Sequence, residues 1–114
     1  MVTGEIPYQN KVVLCGRIAR DPVERELPSG DTLATVRVIV RRSQRARRRS
    51  RISVDAFECI AWTRKLQRTI AQLRPDDVVE VEGELRRRFR RVEGAAVSRV
   101  EVELASCKVV ERAS

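Results

Sequence analysis

The 114-residue sequence predicts an all-β fold, a five-stranded barrel with one short helix between strands three and four. Three observations carry that reading: apolar residues recur mostly at strand spacing, turn signals separate them at intervals suited to a barrel, and helical periodicity occurs only once. The length suits one compact unit, so residues 1–114 are read as a single domain. Within it, residues 1–8 form an N-terminal arm and 111–114 a short C-terminal end.

The first strand is expected from about Asn10 to Ala19. It stops at Asp21-Pro22, because proline has no N–H to give a ladder and restricts the residue before it. After a turn at Pro28-Ser29-Gly30, the second strand runs from about Thr32 to Arg42. Here Ala34, Val36, Val38 and Val40 share one face while Thr35, Arg37 and Arg41 share the other, so one face is core and one is polar. Between Arg41 and Arg51 the run RRSQRARRRSR holds seven arginines and no acid. Self-repulsion and low hydrophobicity predict a mobile hairpin loop there.

The third strand, about Ile52 to Trp62, leaves its parity open. Phe57, Cys59 and Ala61 form one face, Val54, Ile60 and Trp62 the other, and both are apolar enough to be partly covered. Leu66, Ile70 and Leu73 then repeat at spacings of four and three over Arg64–Leu73, and Pro75 ends that short helix. The fourth strand covers about Asp77 to Arg88, a second basic loop about Arg90 to Gly94, and the fifth strand about Ala96 to Val110. The order βββαβ is that of the OB-fold, whose binding surface lies on strands two and three and the adjacent loops.

Charge narrows the partner. The formal net charge is +8, and of 24 basic residues only Lys11, Lys65 and Lys108 are lysine. Arginine offers a planar fork that grips phosphate and stacks on rings, so the expected partner is a polyanion. Nucleic acid is favoured over lipid, since no apolar run approaches the roughly 20 residues of a membrane span and no amphipathic basic helix dominates. Met1 to Tyr8 lacks the pattern of a signal peptide, and a cytoplasmic location is expected. Cys15, Cys59 and Cys107 are odd in number, far apart and in apolar contexts, which predicts buried reduced thiols, with no disulfide framework or metal site.

Catalysis has little to stand on. The sequence has no histidine and no nucleophile motif, so no enzyme activity and no cofactor are expected. Glu80, Glu82 and Glu84 alternate on one strand, with Glu101 and Glu103 on the next. A metal-dependent nuclease could use such a set, but the simpler reading is cross-strand pairing with arginine on a face that phosphate avoids.

The candidate nucleic-acid-binding residues are Arg37, Arg41, Arg42, Arg45, Arg47, Arg48 and Arg49 around the first basic segment, and Arg86, Arg88, Phe89 and Arg90 around the second, with Trp62 between them. The arginines would neutralise phosphates without reading sequence. A base exposes its π-face only when unpaired, so Trp62 is the leading stacking ring. Phe57 is assigned to the core, and Phe89 is either a loop anchor or a second stacking ring.

Asn10 to Arg17 (NKVVLCGR), followed by Asp21-Pro22, Arg25 and Ser29-Gly30, resembles the opening of bacterial single-stranded DNA-binding proteins. Asp55 to Trp62 (DAFECIAW) resembles that family's third strand, and Val81 to Arg86 (VEGELR) its fourth. The resemblance spans about Asn10 to Val110. It implies an OB-fold that assembles as a homotetramer and holds single-stranded DNA during replication, recombination and repair. It also implies that Trp62 closes strand three as an aromatic contact and that Arg86 and Arg88 lead into the second loop. Three further aromatic positions are occupied by Gln44, Ala56 and Arg90, and weaker stacking follows. The sequence stops at Glu111-Arg112-Ala113-Ser114 without the family's acidic tail, so docking of partner enzymes by that route is not expected. An RNA-binding OB protein and an assembly protein contacting an acidic surface are the alternatives.

Overall fold

The computed structural model describes Gly4 and residues 6–114; Met1, Val2, Thr3 and Glu5 of the expected N-terminal arm lie outside the described residues. Strands β1 (Val12–Ile18), β2 (Val23–Glu26), β3 (Thr32–Arg41), β4 (Val54–Ala61), β5 (Val78–Val92) and β6 (Ala95–Glu111) are joined by two helices, α1 (Gln44–Arg47) and α2 (Arg64–Ala71). The sheet order is β1-β5-β6-β4-β3-β2, and β1 also pairs with β3, which closes five strands into a barrel. All pairings are antiparallel except β4 with β6, where Cys59 faces Val102.

The inward alternation of β3 is as expected, with Ala34, Val36 and Val38 buried. They meet Ile18, Cys59, Ala61, Val79, Val81 and Val102 from the other strands, and Ile70 and Leu73 from the helical segment plug one end. Each such valine or isoleucine contributes roughly 1.5–3 kcal/mol on leaving water. Closure depends on Gly16: a Cβ there would collide with the carbonyl oxygen of Ile39 where β1 crosses onto β3. Helix α2 starts at Thr63, whose hydroxyl accepts from Leu66 N at 3.2 Å, a cap that satisfies an otherwise orphaned donor. No helix among the described residues is long and apolar enough to cross a membrane.

Four expectations change. A sixth strand, β2, follows Pro22, because Val23–Glu26 finds an unclaimed edge along Thr32–Thr35 beside the short β1–β3 contact. The first basic segment contains a turn of helix, α1, where a mobile loop was expected. Ser43 caps it by accepting from Ala46 N at 3.2 Å, and arginine is a good helix former. The second basic loop, Arg90 to Gly94, is strand as far as Val92. The turn is Glu93-Gly94 alone, with φ of 49° and 82°, the two left-handed residues that join a twisted hairpin most tightly. Cys15 is exposed, since β1 turns it outward with Val13 and Arg17, whereas Cys59 is buried and Cys107 half-buried. Burial pushes the Cys59 thiol up to about 12.

Candidate nucleic-acid interface

The parity left open in strand three is decided by pairing. Cys59 and Ala61 point into the barrel, and Phe57 shares their side, half-buried opposite Val38. Ile60 and Trp62 point outward, but they are covered by what lies above them. Because β6 runs parallel beside β4, the outer face of the sheet continues from Ile60 and Trp62 onto Glu101, Arg99 and Val97, and across the hairpin onto Arg88 and Arg90. Arg25 arrives from β2 directly opposite Leu33. These residues, with Leu27 and Phe89, line a cleft of about 310 Å³.

Trp62 is held from behind. The buried Gln67 side chain donates to the carbonyl of Trp62 at 3.1 Å, and to those of Thr32 at 2.9 Å and Ala61 at 3.4 Å, so helix α2 fixes the backbone that carries the ring. The hairpin is pinned where it leaves the barrel: the Asn10 side chain donates to Leu85 O at 2.9 Å and accepts from Leu85 N at 2.8 Å. Arg88 then lies over Trp62, its guanidinium carbon 5.3 Å from the ring centroid. Its Nε donates to Glu101 at 3.1 Å, and the indole N–H of Trp62 is buried without an acceptor.

Lifting Arg88 away would strip Glu101, whose side chain is only 13% exposed, of its partner and would abandon the ring. After allowance for solvent at Arg88 itself, this costs about 2 kcal/mol.

The predicted residues divide into three groups. Trp62, Arg88, Phe89 and Arg90 share the cleft, and Phe89 is well exposed, so it is not a buried anchor. Arg37, Arg42 and Arg86 are occupied within the fold. Arg37 pairs with Glu58 at 3.3 Å, Arg86 with Glu103 at 2.7 Å and Glu84 at 3.2 Å, and Arg42 grips both oxygens of Asp55 at 2.9 and 2.7 Å. That fork holds the Asp55 carboxyl below the usual carboxylate range. Of the alternating acids, Glu103 and Glu101 pair with Arg86 and Arg88 across strands as expected, whereas Glu84 meets Arg86 on its own strand and Glu82 meets Lys11. Among the described residues no cluster of acids and cysteines fit for a metal is found.

Arg41, Arg45, Arg47, Arg48 and Arg49 pair with no carboxylate among the described residues. Arg41 and Arg47 line a separate groove with Cys15, Arg17 and Val54, so the two basic segments do not share one cleft.

Residues 9–110 match the family described as "Single-strand binding protein family". The chain belongs to that family. The single-strand binding relatives include single-stranded DNA-binding protein A of Bacillus subtilis, 30% identical over 103 residues, which cover 90% of this chain and 59% of that protein. Single-stranded DNA-binding protein 1 of Staphylococcus aureus is 31% identical, with 90% and 61% covered. The chain therefore spans about three fifths of the length of these relatives. The solved structure "Plasmodium falciparum SSB complex with ssDNA" superposes with a TM-score of 0.79 at 21% identity, covering 94% of this chain and 99% of that one, which shows the shared OB-fold.

Arg25, Val97 and Arg99 were missed as residues of the cleft. A signal for two of them lay in Glu93-Gly94. Reading it as a two-residue turn places Arg99 opposite Arg88 and Val97 opposite Arg90.

Proposed function

We propose that this chain binds single-stranded DNA, with tolerance for sequence and without catalysing a reaction, and so protects single strands during replication, recombination or repair in the cytoplasm. The observation that carries the reading is the cleft. It combines aromatic side chains, Trp62 and Phe89, with the cations Arg25, Arg88, Arg90 and Arg99, and its one acid, Glu101, is already bonded to Arg88. Rings and guanidinium planes offer faces to unpaired bases, while the surrounding charge follows the backbone at no cost in sequence tolerance. A duplex has its base faces stacked and can use only the charge. The relatives' names point the same way.

The exposed arginines of the α1 segment extend the phosphate path. The fold also supports assembly of several copies, and the assembly proposed is a tetramer. The edge of β1 from Val12 to Gly16 that faces away from β5 pairs with no strand among the described residues, and Val13 beside it is exposed. Sedimentation at micromolar concentration in moderate salt checks this, and a monomer would contradict it.

The binding experiment is a titration with single-stranded DNA, duplex DNA and RNA of equal length at two salt concentrations. Single-stranded DNA is expected to bind most tightly and to retain its lead at high salt, where duplex binding fades. Equal affinity for duplex, or a preference for RNA in direct competition, would overturn the reading.

A further inference from the structure

We propose that the surface a base meets in the cleft is the outer face of the Arg88 guanidinium, backed by Trp62 and held flat by Glu101, so that the platform is a layered stack of indole, guanidinium and base. This deepens the single-strand reading and rests on it. The guanidinium already lies over the indole at 5.3 Å, the indole N–H is buried, and Trp62 as a whole is only partly exposed. Glu101 takes the Nε hydrogen at 3.1 Å and leaves the two terminal nitrogens of the fork free for a phosphate or base oxygen. The Arg88 side chain keeps 43% of its surface exposed, whereas Glu101 keeps 13% and would be left poorly solvated if Arg88 departed.

Displacing Arg88 would therefore forfeit about as much as one base stack returns, and retaining it forfeits nothing. Arg99 stands directly opposite Arg88, with Arg25 and Arg90 also lining the cleft. Their repulsion keeps Arg88 on its carboxylate, and they supply the charge that draws phosphate. Arg88 is the contact residue in this arrangement, while Trp62 and Glu101 are positioning residues.

The test uses the whole chain, an oligothymidylate probe, affinity at two salt concentrations and the fluorescence of Trp62. In the wild type, binding should change that fluorescence little, because the guanidinium stays between ring and base. Arg88→Lys keeps the charge and removes the plane. It should weaken binding about tenfold with an unchanged salt slope, and direct stacking should now quench the indole strongly. Glu101→Ala removes a negative charge beside a polyanion, so charge alone would tighten binding. It should instead loosen it several-fold, and Glu101→Gln, whose carbonyl can still accept from Nε, should restore most of the loss.

Wild-type affinity in Arg88→Lys, strong indole quenching in the wild type, or tighter binding by Glu101→Ala would each overturn the layered stack while leaving single-strand binding intact. Failure of the wild type to bind single strands at either salt concentration would bring down the single-strand reading and the stack together.

Discussion

Replacing Arg45, Arg48 and Arg49 together by alanine separates phosphate contact from everything else the chain does. The structure selects these three: they are exposed on or beside α1 and pair with no carboxylate among the described residues. Arg47 has its Nε buried, and Arg42 is clamped on Asp55. If each contacts one phosphate, the slope of log affinity against log salt becomes shallower by about 0.7 per residue on a single strand, so by about 2 for the triple variant. Over a tenfold range of salt that amounts to roughly a hundredfold difference in how affinity falls. Stability should barely move, because alanine is at least as good a helix former as arginine and like charges are removed. The assay is fluorescence anisotropy with a labelled single-stranded oligonucleotide across four salt concentrations, beside a thermal melt. An unchanged slope in a variant that melts normally would show that the α1 arginines are solvated bystanders.

Gln67→Leu removes four bonds at the ends of β3 and β4, three donated by its amide to carbonyls and one accepted from the Thr32 hydroxyl, leaving those groups unpaired at a buried site, and should cost about 2–4 kcal/mol. Thermal denaturation should show a drop in Tm of roughly 10–20 °C for a chain of this size, and a drop below about 3 °C would show that those bonds are dispensable. Asp77 is held below the ordinary carboxylate range by hydrogen bonds from Ala113 N and Arg74 N, with Arg112 beside it. Its folded form is therefore more acidic than its unfolded form. The stability it contributes is complete above about pH 4 and is lost as pH falls further through the folded value. Asp77→Asn should flatten the acid limb of a stability–pH curve, and an unaltered limb would count against the clasp. In native protein at neutral pH, a small alkylating reagent should label Cys15 well before Cys59, whose thiol is buried and pushed up to about 12. Peptide mass analysis showing equal rates would contradict the packing around Cys59.

The alternation of Ala34, Val36 and Val38 and the single helical period ending before Pro75 were enough, on sequence alone, to place a barrel with one main helix, and the charge of +8 was enough to raise the expectation of a polyanionic partner. Those signals are local. A strand's inward residues are written at every second position, a helix's at every third or fourth, and net charge needs no structure at all. Which arginines are free was not local. Arg37, Arg42, Arg86 and Arg88 look alike in sequence, yet each meets a carboxylate placed by cross-strand register, on Glu58, Asp55, Glu103 and Glu101. Arg25, Arg99 and Val97 join Trp62 only because β2 adds to the edge of β3 and because the tight Glu93-Gly94 turn and the parallel β4–β6 contact carry the hairpin over that ring. Side chains dozens of residues apart are brought together by pairing between strands distant in the chain, and a period of two within one strand holds no information about its neighbour's register.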